Sequence, residues 1–343
     1  MLRGAIIGFG NVAVHGHVPG WRRRRDVEIV AVTDTRPAQR ALLEAHVPGA
    51  AWRASAEALL AEPALDFVDI CAPPSSHAPL IRAALERGLH VLCEKPLVSA
   101  PADLGPLARL AEKTGRVLHT VHNWHHAPIV RRTAELIREG RIGRVTHVIW
   151  HTLRTRPASV GNERAGNWRV DPAVAGGGVL SDHGWQVLYV VQSWVGEPPL
   201  AVSARLERRR HLTWGVEDTA TVRVMFSGAT AEILLTWASD VRRNWAEVGG
   251  MAGTLELHDD TLVLKSGGPA ADSSWACPPP MSDGSHHPDW FDAVASQFLA
   301  ETTGAAPRGA NLAEARLCVA LEHAARESSR QGGREIPISG APV

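Results

Sequence analysis

Residues 2–13 read Leu2-Arg3-Gly4-Ala5-Ile6-Ile7-Gly8-Phe9-Gly10-Asn11-Val12-Ala13, an apolar strand-like run that ends in a G-x-G-x-x-A turn. In such a turn the first glycine permits the sharp bend, and the second lets the backbone approach a pyrophosphate. A small third residue, here Ala13, lets the next helix pack on the strand with its first N–H groups aimed at the phosphates. By itself the pattern is a weak signal. Here Asp34 stands 21 residues after Ala13, at the end of a second strand-like run. A carboxylate in that place accepts the ribose 2′-hydroxyl of a dinucleotide. The segment therefore predicts a cofactor site built from Gly8, Phe9, Gly10, Asn11, Val12, Ala13, Asp34, Thr35 and Arg36. Asp34 favours NAD, because a 2′-phosphate would meet its charge. Arg36 and Arg40 keep NADP open, since a nearby arginine accommodates that phosphate.

Outward from this turn, short β-type runs alternate with helix-length stretches through the first 120 residues. The runs are residues 2–7, 28–33, 67–71, 90–93 and 117–121, and the stretches are 11–25, 37–45, 55–61, 76–87 and 101–114. That alternation predicts an α/β domain over residues 1–122, a Rossmann-type doubly wound parallel sheet. From Ala127 the pattern changes. Pro128 opens a helix to Arg138, and then come long β-type runs at 144–153, 201–207, 219–226, 229–237, 245–249, 253–258 and 261–265. Breaks as short as Ser227-Gly228 and Asp259-Asp260 imply antiparallel hairpins. Residues 123–343 are thus expected to form an α+β domain with a large open, mostly antiparallel sheet. Two closing helices, 289–300 and 312–329, are too few for a domain of their own. The stretch Gly267 to Pro288, rich in Gly, Pro and Ser, is expected as a surface loop.

Composition excludes several classes. At 343 residues the chain suits two domains. Its 36 basic and 36 acidic side chains leave no net charge to draw nucleic acid or an anionic membrane. No apolar run approaches the roughly 20 residues of a membrane helix. The start runs directly into the glycine turn and has no signal-peptide cleavage region. Cys71, Cys93, Cys277 and Cys318 are widely spaced, which points to free thiols in a cytoplasmic protein. The run Trp21-Arg22-Arg23-Arg24-Arg25 ends the first predicted helix, where cations complement the dipole. His125-His126 and His286-His287 have no carboxylate or thiolate at fixed spacing, so no metal is expected.

The chemically loaded segments lie at strand ends. Cys71-Ala72-Pro73-Pro74-Ser75-Ser76-His77 and Glu94-Lys95-Pro96-Leu97 both fall at strand C-termini, the edge where doubly wound sheets bind ligands. Lys95 is one of only three lysines. A lysine there donates to a substrate hydroxyl, stabilises an alkoxide or relays a proton. Further on, Gly176-Gly177-Gly178 leads to Asp182-His183-Gly184-Trp185-Gln186-Val187-Leu188-Tyr189. If helical, Asp182, Gln186 and Tyr189 share one face, flanked by His183 and Trp185. The glycines let the helix start come close to a planar ring.

These segments, with Asn123, Pro128, Ile142-Gly143-Arg144-Val145 and Trp168-Arg169, resemble the glucose–fructose oxidoreductase / inositol dehydrogenase (Gfo/Idh/MocA) family across most of the chain. The resemblance implies an NAD(P)-dependent oxidoreductase acting on a secondary alcohol of a sugar, cyclitol or sugar derivative. It implies a homodimer or homotetramer through the second sheet. Ala72, Pro73, Pro74, His77, Glu94, Lys95 and Asn123 join the expected cofactor contacts. Lys95, Trp124, Trp168, Arg169, Asp182, Trp185 and Tyr189 are the expected substrate contacts. Family members usually carry histidine four places after the aspartate, working with the lysine; here it is Gln186, whose amide orients a hydroxyl but exchanges no proton. Tyr189 replaces a frequent aspartate, and His125 a frequent arginine. Three repairs are open: Lys95 as principal acid/base with Asp182 tuning it, His183 as substitute, or loss of redox chemistry. The first is favoured, so the expected catalytic set is Lys95, Asp182, His183 and Gln186. Two other functions stay open, a cofactor-binding sensor without turnover and redox-neutral glycosidase or epimerase chemistry with bound NAD.

Overall fold

The computed structural model describes residues 1–159, 166–266 and 272–338. Its first sheet holds six strands: β1 (Leu2–Ile7), β2 (Val27–Thr33), β3 (Ala51–Trp52), β4 (Phe67–Ile70), β5 (His90–Cys93) and β6 (Leu118–Thr120). They lie in the order β3-β2-β1-β4-β5-β6, every pair parallel. β4 and β5 are buried at every position, as parallel strands covered on both faces must be. The order reverses at β1 and β4, and ligands of such sheets bind at that switch, beyond the strand C-termini.

Local chemistry moved some boundaries. The stretch expected as a helix over 37–45 is a 3₁₀ turn, Pro37–Leu42, and a four-residue helix, Leu43–His46, with no buried residue. Without an apolar face to dock, a longer helix there has nothing to hold it. The expected helix 11–25 begins as a π turn over Val12–His17 and continues as Val18–Arg23. Pro19 has no N–H for the carbonyl of His15, and the widened turn falls where that bond would be missing. β3, only two residues long, has no alternation to betray it.

Among the described residues the second sheet has nine strands: β7 (Val145–Leu153), β8 (Ala201–Glu207), β9 (Thr219–Met225), β10 (Thr230–Thr236), β11 (Arg243–Gly250), β12 (Gly253–His258), β13 (Thr261–Ser266), β14 (Ser273–Ala276) and β15 (Ile336–Pro337). The order is β14-β13-β12-β11-β7-β10-β9-β8-β15. Only the central β7–β10 pair is parallel, so the sheet is mostly antiparallel. β14 corrects the surface loop expected over 267–288: it pairs with β13 through Leu262 and Trp275. Residues 267–271 of that stretch lie outside the described ones.

Helix Ala310–Arg330 packs against β6 of the first sheet and β8 of the second, while helices Pro128–Arg138 and Trp185–Val195 pack on the second sheet. Trp150, Trp185, Trp194 and Trp237 are almost wholly buried there, which places much of the tryptophan in the core. Helix Pro288–Thr303 falls in the second segment by sequence yet packs on the first sheet. Its Phe291, Val294, Phe298 and Leu299 share a core with Val14, Val18, Trp21 and Phe67. This crossing helix helps close the cleft between the two layers.

Candidate active site

A cleft of about 810 Å³ runs from the glycine turn to the second sheet. Its floor is set by close backbone contact. Gly8 sits at φ +92°, and a Cβ there would lie 2.7 Å from the Ala72 nitrogen. The turn after β1 and the proline turn after β4 therefore pack directly against each other, which only glycine allows.

At the β2 end, Asp34 accepts the Phe9 N–H at 2.7 Å and the Arg36 N–H at 2.8 Å. The Arg36 guanidinium closes on both carboxylate oxygens at 2.9 and 3.0 Å. Burial pulls the Asp34 carboxyl upward, but the Arg36 and Phe9 hydrogen bonds outweigh it and hold it below the usual range. The helix start at Val12 has no side-chain cap, so its first N–H groups are left for an anion. A carboxylate that accepts from a ribose and uncapped amides that donate to phosphates are what a pyridine dinucleotide requires, and the residues present fit it.

Beyond β5 the chain turns through a cis Lys95–Pro96 bond. Lys95 Nζ donates to the Asp182 carbonyl at 2.6 Å and to its carboxylate Oδ1 at 3.0 Å. The Gln186 amide, oriented by its neighbours, accepts from Nζ at 3.3 Å and donates to the carbonyls of Asp182 and His183 at 2.8 and 3.3 Å. Burial raises the Asp182 carboxyl, but Lys95, His183 and Arg169 together hold it well below its usual value. Burial dominates at His183 and pushes the imidazole down to about 3, so it is neutral near pH 7.

Behind Lys95 lies a second layer of charge. Glu94 accepts the Lys95 N–H at 3.1 Å and meets His17 Nε2 at 3.0 Å. The other nitrogen of His17 meets Asp69 at 2.9 Å, and Trp21 Nε1 donates to the same carboxylate at 2.8 Å. His17 stacks on Phe291 of the crossing helix with ring centroids 3.9 Å apart. Burial works against its charge, but Asp69 and its neighbours raise it well above the ordinary imidazole value.

Most expected site residues line the cleft: Gly8, Gly10, Asn11, Val12, Asp34, Thr35, Arg36, Ala72, Pro73, Pro74, Glu94, Lys95, Asn123, Trp124, Trp168, Arg169, Asp182, His183 and Gln186. The exceptions have physical reasons. Phe9 and Ala13 bury their side chains completely and offer the site only backbone and packing. His77 is also buried; its two ring nitrogens lie 2.8 Å from the carbonyls of Pro96 and Ala72, so the ring donates to one of the two loops it sits between. Trp185 and Tyr189, expected at the substrate, are fully buried and off the cleft wall. A π turn over Leu180–Gly184 precedes their helix, and its extra residue breaks the stripe that would have aligned Tyr189 with Asp182. The Tyr189 hydroxyl instead accepts the Trp124 N–H at 2.9 Å between the rings of His122 and His125.

Sequence reasoning missed His17, Asp69, Arg154 and Arg242, and weighed His286-His287 only as a metal pair, although both line the cleft. Isolated polar residues in apolar or loop segments gave no pattern to find them by. It also had no partner for His125. Glu314, 189 residues away, meets His125 at 2.8 Å and His122 as well.

Comparison with known proteins places these features. Residues 2–122 match the model of an oxidoreductase family with an NAD-binding Rossmann fold, and residues 130–256 that of a GFO/IDH/MocA C-terminal domain. D-xylose 1-dehydrogenase (NADP(+)) 2 of Haloferax volcanii is 30% identical over 230 residues, 66% of this chain and 67% of that one. D-glucoside 3-dehydrogenase of Escherichia coli is 33% identical over 204 residues, covering 57% of this chain but only 55% of its own length. Among solved structures, levoglucosan dehydrogenase in complex with NADH and levoglucosan superposes with a TM-score of 0.85 at 20% identity, over 99% of this chain and 100% of that one.

Proposed function

The chain belongs to the Gfo/Idh/MocA family of NAD(P)-dependent oxidoreductases, and from that premise we propose how its own residues carry the reaction and on what substrate. The substrate is a sugar, cyclitol or sugar derivative, oxidised or reduced at a secondary alcohol. The observation that carries this reading is the Lys95–Asp182 pair, set in the wall of the cleft that also holds the glycine turn and Asp34. When bound, the nicotinamide ring supplies or accepts the hydride at C4. Asp34 would hold the adenosine ribose, and the uncapped turn at Val12 the pyrophosphate. Its ribose carboxylate favours NAD; Arg36 beside it keeps NADP within reach.

Lys95 handles the proton. An ammonium has three N–H donors, and here they face the Asp182 carbonyl, the Asp182 carboxylate and the Gln186 oxygen. The Gln186 contact, at 3.3 Å, is the longest of the three and is the one a substrate oxygen would replace. As a carbonyl is reduced, Nζ gives its proton to the oxygen and becomes a neutral amine; in oxidation the amine takes the proton back from the hydroxyl. Asp182 stabilises the ammonium. Gln186 orients it and moves no proton, and His183, neutral and hydrogen-bond capable, is a second contact for the polyol.

The test is to mix purified protein with NAD⁺ or NADP⁺ and a panel of aldoses, inositols and sugar derivatives, following nicotinamide absorbance. Lys95→Ala should lower kcat by about 10²- to 10⁴-fold, the usual worth of a positioned acid/base group. Full turnover by that variant would sink the assigned role. A cytoplasmic location is part of the same reading, supported by four unpaired cysteines, three of them buried. So is assembly of copies through the outer face of the second sheet. Ile149, Leu234 and Trp245 stand half-exposed there on the adjacent strands β7, β10 and β11. No helix of the described residues is long and apolar enough to cross a membrane.

A further inference from the structure

We propose, building on the oxidoreductase reading above, that the sugar taken at Lys95 carries an anionic group, a carboxylate or a phosphate, held by Arg154, Arg169 and Arg242. All three line the cleft at the Asp182 end, in separate segments of the chain. Arg154 carries the most weight. It is 2% exposed, and its guanidinium donates only to neutral acceptors: the carbonyls of Leu153 and Arg243 at 2.8 and 3.1 Å and the Asn244 side chain at 3.2 Å. No carboxylate among the described residues forms an ion pair with it. Buried charges are ordinarily paired, because removing one from water without a counter-charge is costly. At the wall of a substrate cleft, the missing counter-charge is supplied by the ligand.

The neighbouring cations are no better matched. Arg169 lies over the Trp168 ring at 4.3 Å and reaches Asp182 only at 3.8 Å, on the oxygen that Lys95 already holds at 3.0 Å. Arg242 donates to the carbonyls of Ser282 and Gly284. Asp259 and Asp283 act on it through space without pairing to it, and Asp259 is engaged by the Asn244 N–H and the Ser282 hydroxyl. His183, His286 and His287 are held neutral by burial and add no charge near pH 7. Of these four cations, counting Lys95, only Lys95 and Arg169 come within 4 Å of a carboxylate among the described residues, and both meet Asp182; Asp259 acts on Arg154 and Arg242 only through space. Low-dielectric walls focus such a field. The cofactor's own phosphates belong to the turn at Gly8–Ala13 and do not discharge it. A neutral sugar would accept hydrogen bonds from these guanidiniums but leave their charge uncompensated. An anion would form charge-assisted, two-pronged contacts instead.

The experiment is calorimetric titration of the NADH-loaded full-length protein with matched sugars, alongside turnover of the same panel with NAD⁺ or NADP⁺ as hydride acceptor. The arms are D-glucose and D-galactose, their uronates, and their 6-phosphates. At least one anionic member should bind about tenfold tighter than its neutral parent, the worth of one charge-assisted contact. That advantage should shrink with added salt and fall in Arg242→Gln, an exposed position whose variant should fold even if Arg154→Gln does not. The uronate and phosphate arms decide which anion is taken. If every anionic sugar binds no better than its neutral parent, the proposal is overturned, with or without turnover. Turnover of neutral sugars alone would leave the oxidoreductase reading standing and this one fallen. Tight binding of an anionic sugar with no redox change in any arm would do the reverse.

Discussion

The two ends of the cleft are built on opposite electrostatic plans. At the cofactor end each charge has a partner from the protein itself: Asp34 has Arg36, and His17 sits between Asp69 and Glu94. At the substrate end Arg154 and Arg242 have only neutral acceptors, and Lys95 and Arg169 share one carboxylate. A site for a constant ligand can be completed in advance, whereas one for a charged substrate leaves the final pairing to it. The contrast also separates scaffold from reactive group. The His17 network is buried and holds the loop that presents Lys95, while Lys95 itself lies on the cleft wall.

The largest effect should come from breaking the completed end. His17→Ala leaves Asp69 and Glu94 as buried carboxylates without their shared cation. Loss of one partner of a buried pair costs about 3–5 kcal/mol. Chemical denaturation should show a loss of that order, and a change under about 1 kcal/mol would mean the pairing contributes nothing net. The next effect tests cofactor choice. Asp34→Ser removes the ribose acceptor and frees the Arg36 guanidinium. The ratio of kcat/KM for NAD to that for NADP should then fall by about tenfold or more, one to two charge-assisted hydrogen bonds. An unchanged ratio would show that Asp34 does not read the ribose.

How much of this was legible in sequence follows the same division. The first sheet and its expected cofactor residues come from turns at the ends of successive strands, so strand ends and motifs set Gly8, Asp34 and Lys95 at the edge where the structure has its cleft. Arg169 was reached only through the family resemblance, and the cleft residues Arg154, Arg242 and His286 come from further separated segments of an antiparallel domain. Their convergence depends on how β7 and β11 pair, as in Arg243 opposite Leu153, and no local pattern encodes that. Tyr189 failed for a subtler reason: one π turn shifts helical phase, and hydrophobic periodicity does not announce it.

A third prediction separates the two ends by pH. His17 has a raised folded pKa, so its contribution is full below the unfolded value of about 6.5 and is lost as pH rises through the folded one. His183, at about 3, and His286 and His287, each at about 4, are depressed by burial. Their unfolded forms bind more protons below about pH 6.5, so stability falls as the solution is acidified towards pH 4. The carboxylates of Asp182 and Glu94 are also depressed, but their loss begins only below about pH 4, where the unfolded groups protonate. Thermal melts should therefore drop on both sides of neutrality. His17→Gln should flatten the alkaline limb alone, and His287→Phe should ease the acid limb. A variant that moved the opposite limb would dissolve the distinction.

The smallest effect is the most informative about mechanism. Gln186→His restores the residue that family members usually place beside the lysine. If Lys95 already handles the proton unaided, a histidine there adds little to kcat, within about threefold, because the proton has a competent acceptor without it. It should still raise KM, since it loses the two donations that the amide makes to the carbonyls of Asp182 and His183. A rise in kcat of about tenfold or more, with a new ionisation near the imidazole range in the pH profile, would instead show that Lys95 alone is a poor acid/base in this cleft. The substrate end would then be incomplete in its proton chemistry as well as in its charge.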